Sequence, residues 1–306
     1  MTATTPPVRN ALGFDLEHWY TATLLRDSVT DPVDRVVEST QVVLDLLDRH
    51  GVTATFFVVG EVAAEHPDLV ARIVAAGHEI GSHGHSHRPV FELTREEFRR
   101  ELRRSREAIV DAAGVAPAGF RAPNFSITRE TAWAFEVLAD SRYEYDSSVF
   151  PAWTPLYGVR DAPRRPYAVR GDDPFAAADA GNGAPTATDL VELPLSALGS
   201  RLRLPIAGGF YARVLPRRLL TAGIARLNRA GVPANLYFHP WEFDPAVRTD
   251  DPPLAARLIS FAGIDRLPGL LASLLDRFEF GPVGGLHDEY RAAAGAATHT
   301  DSPPPT

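Results

Sequence analysis

The sequence predicts an α/β fold on a mostly parallel sheet with right-handed crossovers, closed as a barrel or open and doubly wound. Two observations lead there: about seven β-branched or aromatic strand runs alternate with stretches of helical periodicity, and neither a repeat nor a composition break divides the chain. At 306 residues with 45% hydrophobic content the chain can bury a large core, and a single enzyme-sized domain is the expectation.

The elements follow in order. Ala11 to Asp15 reads as a short buried strand, and Val33 to Arg49 has helical apolar spacing that stops at His50-Gly51. Thr53 to Val59 (TATFFVV) is strand-like, Glu61 to Ala76 is helical with Gly77 as its cap, and His78 to Ser82 is a third strand. Thr94 opens a charged helix to about Ala113, with Glu97 in the capping-box position. Gly119 to Ala122, Thr128 to Asp140 and Tyr143 to Ser147 continue as strand, helix and strand. Pro151 to Thr188 is rich in Pro, Gly, Asp and Arg without a period, so residues 152–188 are expected to form a surface insertion or lid. Leu190 to Leu195 and Ala234 to Phe238 then read as strands, with a helix near Pro216 to Ala230 between them. A last helix, Leu254 to Arg277, leads into Phe278 to Val283. Residues 1–10 and most of 286–306 are polar or small and are expected to be disordered, leaving one catalytic domain over 11–285.

Composition removes several function classes. With no cysteine there are no disulfides or thiolate metal sites, so a bound metal must use His, Asp, Glu or water. All 31 basic residues are arginine, which excludes lysine Schiff-base chemistry. A net charge of -8 argues against a nucleic-acid partner. The Arg95–Glu107 segment (REEFRRELRRSRE) pairs Glu96 with Arg100 and Arg103 with Glu107 at i, i+4, as a solvated helix face does. Met1 to Asn10 lacks the charge and apolar run of a secretory signal, and no stretch reads as the roughly 20 apolar residues of a membrane helix. The expectation is a cytoplasmic protein without stable membrane insertion.

In parallel α/β sheets, ligands bind at the C-terminal ends of the strands, and five polar signals fall there. Ser82-His83-Gly84-His85-Ser86-His87 follows the third strand and spaces His83 and His87 so that two imidazoles can converge on one cation, with His85 pointing elsewhere. Phe14-Asp15-Leu16-Glu17-His18 ends the first strand and puts two carboxylates on one side, roughly 6 to 7 Å apart along the backbone. Phe120-Arg121-Ala122-Pro123 places an arginine in an apolar setting that requires an acidic partner. Tyr145-Asp146-Ser147-Ser148 and Phe238-His239-Pro240-Trp241-Glu242 complete the set. Singly, each has an ordinary structural explanation: a polar loop, a solvated strand end, a structural ion pair, a turn, a satisfied histidine. Independent structural roles would not all fall at strand C-termini.

Together these residues offer two neutral histidines and a carboxylate for a metal, a second carboxylate and a third histidine. A metal so held lowers the pKa of bound water to about 7 and polarises a carbonyl. Asp15 can take a proton from water and His239 can give one to a departing amine, a set suited to amide hydrolysis.

These residues resemble the polysaccharide deacetylase family, the NodB-like carbohydrate esterases of family four, whose fold is a distorted (β/α) barrel. The similarity runs from about Ala11 to Phe280 and is nearest to the branch associated with exopolysaccharide gene clusters, with wording like ATFFVVG, HEIGSHGHSH, FRAPNFSI, YDSSVFP, GGFYAR and FHPWE. The resemblance implies Asp15 as catalytic base, His83 and His87 as metal ligands, Arg121 as the group orienting Asp15, and His239 as general acid. It implies that the backbone N–H of Asn124 helps stabilise an oxyanion, that Asp146 lines the groove near His239, and that Gly208, Gly209 and Tyr211 shape the acyl or sugar pocket. Much of the family has two adjacent aspartates on the first strand, whereas here Leu16 follows Asp15. Glu17 is the expected replacement ligand and His18 the runner-up. The usual aromatic after Arg-x-Pro is replaced by Asn124, ahead of Phe125.

The implied activity is metal-dependent removal of an N-acetyl group from an N-acetylated sugar in a glycan or glycan precursor. The expected cofactor is one divalent ion, zinc first, with cobalt, nickel or iron as alternatives. Two other readings stand beside it: the same chemistry on a small formamido sugar or cyclic amide, and a non-catalytic binding protein on the same fold.

Overall fold

Strand β1 (Asn10–Leu16) is buried along its whole length, the condition of a central parallel strand covered on both faces. The structure, a computed structural model, describes residues 8–154, 157–170, 173–176, 186, 188–199, 203–249 and 251–300. From β1 the chain passes through α1 (Val36–His50) to β2 (Thr55–Val58), then α2 (Gly60–Glu65) and α3 (Pro67–Ala75) to β3 (Glu79–Ser82). Helix α4 (Arg95–Ala113) leads to β4 (Gly119–Phe120) and α5 (Ala134–Asp140) to β5 (Tyr145–Asp146). Next come β6 (Tyr167–Ala168), β7 (Val191–Glu192), a hairpin of β8 (Ala197–Leu198) and β9 (Leu204–Pro205), α6 (Gly209–Val214), α7 (Arg217–Arg229) and β10 (Asn235–Phe238). The chain finishes with α8 (Leu254–Phe261), α9 (Leu267–Leu275), β11 (Phe280–Gly281) and α10 (Gly284–Thr300).

The main sheet runs β10-β1-β2-β3-β4-β5-β7-β6, parallel throughout except for the edge strand β6, while β11 pairs in parallel with the start of β1. The ends curl towards each other, because Ser196 N–H donates to Asn235 O (3.2 Å) and Asn235 Nδ2 donates to Leu193 O (2.9 Å). The result is a curled, mostly parallel half-barrel, in keeping with the expected distorted (β/α) barrel.

Register then places the site. Leu16 pairs with Val58, Val58 with Ser82, Ser82 with Phe120, Phe120 with Asp146 and Asp146 with Glu192, so six strands end in one row. On the other flank of β1, Phe14 pairs with Phe238. The residues that follow each strand therefore form one rim, the C-terminal face where parallel sheets bind ligands. Along β1 the period of two sends Leu12, Phe14 and Leu16 outward, into a core shared with Val43 and Leu47 of α1 and Leu271 and Leu274 of α9. Ala11, Gly13 and Asp15 face the barrel interior, where Ala11 meets Phe57 and Tyr145.

Helix boundaries differ from the sequence expectation where local chemistry breaks the period. The helix read over 61–76 is two, because Pro67 has no N–H to continue α2 and instead occupies the first turn of α3. The helix read from Thr128 starts at Ala134, after a 3-10 turn at Arg129–Thr131. Leu254–Leu275 is apolar and long enough to cross a membrane by composition alone, contrary to the expectation that no stretch is. It is broken at Gly263 (φ 79°), and Ile264, Leu267, Leu271 and Leu274 are buried inside the protein.

The ends also differ. Asn10 is buried in β1, where its side chain accepts from Ala234 N–H (2.8 Å). Helix α10 occupies residues expected to be disordered, because Leu286 and Tyr290 pack beside Val283 and Tyr145, and Tyr290 Oη accepts from Ala168 N–H (3.0 Å). Residues 1–7 and 301–306 lie outside the described residues, as do several between 155 and 187. Within that excursion Val159, Ala162 and Phe175 pack into a second core with Phe135 and Val149.

Candidate active site

Arg121 is the hub of the rim. It is wholly buried, Nη1 donates to Asp15 Oδ1 (2.8 Å), Nε donates to Ser147 O (3.0 Å) and Nη2 donates to Ser147 Oγ (3.0 Å). Its guanidinium also lies over the Phe57 ring at 4.1 Å, a cation–π contact. Room for it comes from Gly13: a Cβ there would sit 2.8 Å from Nη1. A planar group with fixed donors thus holds Asp15 in one orientation.

The second carboxylate sits among imidazoles. Glu17 Oε2 lies 2.5 Å from His87 Nε2, and donor atoms of Glu17, His83 and His87 all fall within 4.8 Å of one another. The tight turn after β3 brings this about, with Gly84 at φ 75° and His87 itself in the left-handed region at φ 54°. His83 Nδ1 is 2.8 Å from the carbonyl of Arg121, which fixes the proton on that nitrogen and leaves the Nε2 lone pair free. His85 does point elsewhere, against Gly60 and α4.

The charges suit a cation. Burial pushes His83 down to about 4, against the opposing pull of Asp15, so it is neutral at pH 7, the form an imidazole must take to bind a cation. Burial alone would raise the Glu17 carboxyl, but His87, His239 and His83 outweigh it and hold it well below the usual carboxylate range. A buried anion beside two imidazoles, one with its tautomer fixed from behind, is a donor set that a divalent ion of the zinc type fits. His18, the runner-up ligand, turns away and bonds Asp34 and Glu65. Placing Glu17 on the cation side needs no bulge.

Across from this group stands His239, at the end of β10. Its Nε2 is 3.8 Å from Glu17 Oε1, and its Nδ1 is 3.2 Å from Glu242 Oε2. Burial lowers its pKa, but Glu17, Glu242 and Asp15 raise it further, to about 9. Glu242 is itself held by Arg213, Nη2 donating to Oε1 at 2.9 Å, and a side chain at Gly209 would collide with the Glu242 carboxylate. Trp241 donates from Nε1 to Glu17 Oε1 (3.1 Å) and stacks on the His239 ring.

These groups open onto one cavity of about 220 Å³, whose lining includes Asp15, Glu17, His83, His87, Asn124, Gly209 and His239. Asn124 is at φ 56°, and its side-chain oxygen accepts from Thr23 Oγ1. Its apolar wall includes Phe91, Phe125, Phe210 and Ile259, and Tyr157 brings the 152–188 excursion to the site.

Three expected pocket residues, Asp146, Gly208 and Tyr211, lie outside the cavity lining. Asp146 is wholly buried behind the rim, accepting from Ser148 Oγ (2.6 Å) and hydrogen-bonded to Glu192, because its place inside β5 points it away from the cavity. Ser148 Oγ in turn accepts from Ala122 N–H (2.7 Å), so Asp146 braces the turn that carries Arg121. Tyr211 is outside the cavity lining and packs towards Phe150, while Phe210 and Arg213 on the same helix face the site. Arg213, Trp241 and Glu242 join the site without having been among the candidate residues. The only signal for them was their place inside the GGFYAR and FHPWE runs.

Fold and rim together define a parallel α/β half-barrel with a carboxylate–imidazole cluster suited to a divalent ion, a buried Asp–Arg pair and a His–Glu pair around one cavity. Residues 27–140 match the family model for polysaccharide deacetylases, and 147–287 match a domain of unknown function, DUF3473. Residues 27–140 thus carry a polysaccharide deacetylase domain of NodB type, that of carbohydrate esterase family four. The chain is 38% identical over 101 residues to the peptidoglycan-N-acetylglucosamine deacetylase of Bacillus cereus, covering 33% of this chain and 37% of that one. It is 37% identical over 99 residues to a chitooligosaccharide deacetylase of Rhizobium leguminosarum bv. trifolii, covering 32% and 43%. The chain thus spans less than half of either relative. A crystal structure from Mycobacterium smegmatis ascribed to a polysaccharide deacetylase shares the fold, with a TM-score of 0.58, 21% identity and coverage of 95% of this chain and 93% of that one. Asp15, Glu17 and His239 fall outside the stretch 27–140, and the sheet brings them to it.

Proposed function

We propose that this protein is a metal-dependent hydrolase that removes the N-acetyl group from an N-acetylated sugar. The observation that carries the reading is the Glu17–His83–His87 cluster, with Asp15 on Arg121 and His239 on Glu242, around one cavity. The deacetylases of peptidoglycan N-acetylglucosamine and of chitooligosaccharide among its relatives supply the substrate class.

A divalent ion held by Glu17, His83 and His87 would polarise the acyl carbonyl and acidify a water molecule. Asp15, oriented by Arg121, takes the proton of the attacking water. The amide carbon becomes tetrahedral, and the backbone N–H of Asn124 serves its oxyanion. His239, charged at neutral pH, protonates the sugar nitrogen as the C–N bond breaks, giving acetate and the free amino sugar. Glu242 and Arg213 hold its ring in place.

The cavity of about 220 Å³ with apolar walls also supports a second reading, the same chemistry on a small formamido sugar or cyclic amide. One experiment tests both: acetate and formate release by zinc-loaded protein across N-acyl hexosamines, chitooligosaccharides and small amides, with Asp15→Asn as control. Release of neither acid, and no amide turnover that Asp15→Asn abolishes, would refute both readings.

A further inference from the structure

A second histidine cluster lies on the outer side of β1's end, where the catalytic reading uses none of its members. His18 Nδ1 faces Asp34 Oδ1 at 3.2 Å, and Asp34 Oδ2 faces His66 Nε2 at 2.8 Å. Donor atoms of His18, Asp34 and His66 lie within 4.8 Å of one another. The three come from separate segments: the turn after β1, the approach to α1, and the break between α2 and α3.

From these residues we propose a second divalent-metal site, distinct from the one at Glu17 and independent of the deacetylase reading, that takes zinc or a similar imidazole-seeking ion through His18 Nδ1, Asp34 and His66 Nε2. The supporting observation is Glu65. Its Oε2 lies 2.8 Å from His18 Nε2, so that with an ion on the Nδ1 side, towards Asp34 and His66, this carboxylate takes the ring's remaining N–H. A carboxylate behind the remote nitrogen of a histidine is the usual second layer of a metal site, fixing tautomer and ring orientation. The Tyr20 ring stacks on His18 at 5.0 Å and holds it from the side. His18 is nearly buried, while the side chains of His66 and Asp34 are 25% and 39% exposed, so solvent can supply the remaining ligand. Ligands about 2.0 to 2.1 Å from zinc stand about 3.3 Å apart, which small movements of partly exposed side chains provide. Two imidazoles and one carboxylate select this class of ion over magnesium or calcium.

The site has a structural consequence. His18 follows Glu17 directly, so an ion here would pin the end of β1 to the start of α1 and to the α2–α3 break, stiffening the backbone that presents Glu17.

The test uses full-length protein without a histidine tag, stripped with chelator and titrated with zinc alone by calorimetry and elemental analysis. Expected is uptake of two equivalents by the wild type and one by His83→Ala/His87→Ala. Adding His66→Gln to that double variant removes the remaining equivalent, and Asp34→Asn weakens it by at least about tenfold. Glu65→Gln, outside the ligand set, weakens it less. Circular dichroism confirms folding of each variant. Should the double variant not fold, zinc-edge anomalous diffraction from wild-type crystals replaces it, with a peak expected between His18, Asp34 and His66. The proposal is overturned if the folded double variant binds no zinc, if its equivalent survives both His66→Gln and Asp34→Asn, or if saturated crystals show no peak there.

Discussion

Arg121 Nη1 and Asp15 Oδ1 meet 2.8 Å apart, inside a barrel that shields both side chains from solvent. Breaking a buried pair by removing one partner leaves the other charge uncompensated, typically costing about 3 to 5 kcal/mol. Arg121→Met should therefore lower unfolding stability by that order in urea titration and abolish acetate release. Gly13→Ala should act on the same pair from the other side, because its Cβ presses on Nη1, with a loss of about 1 to 3 kcal/mol.

Glu17 is surrounded by His87, His83, His239 and the Trp241 N–H. Glu17→Gln keeps the shape and removes the charge. We expect zinc affinity at this site to fall by at least about tenfold, measured by competition with a chromophoric chelator, with a parallel loss of activity. Unchanged affinity would take Glu17 out of the ligand set.

His239 gives a pH dependence of known sign. Its folded pKa, about 9, lies above the ordinary histidine value, so its favourable charge interactions are complete below about pH 6.5 and are lost as pH rises through 9. In metal-free protein its proton NMR titration should centre near 9. Glu242→Gln should lower that midpoint, as should zinc, which cancels part of the Glu17 charge. As general acid, the same group should make the deacetylation rate fall on the alkaline side, at lower pH in Glu242→Gln.

Asp146 and Glu192 share a hydrogen bond with both side chains buried, and burial together with Asp146 holds the Glu192 carboxyl protonated well above the ordinary range. Glu192→Gln, which mimics the protonated acid, should change stability by less than about 1 kcal/mol. Asp146→Asn should cost about 1 to 3 kcal/mol, because it loses an acceptor for Ser148 and Glu192. Chemical denaturation of the two variants distinguishes them, and equal losses would contradict this assignment of the proton.

The sequence by itself determined the strand–helix alternation, the mostly parallel sheet and the placing of polar residues at strand ends, because these rest on periodicity, capping and turn chemistry that act over a few residues; whether the sheet closes or stays open was left to the tertiary structure. The capping box at Thr94 and Glu97 is one such local feature, legible in the sequence and present at the start of α4. Tertiary structure alone decided which carboxylate faces the histidines, that Asp146 and Tyr211 lie outside the cavity, and that Arg213 reaches Glu242. It also decided that a chain end expected to be disordered is a helix docked on Tyr145 and Ala168. Each of these depends on register between strands far apart in sequence: Leu16 beside Val58, Val58 beside Ser82, Phe14 beside Phe238. Spacing along the chain sets which face a side chain takes; only the pairing of strands sets what it meets there.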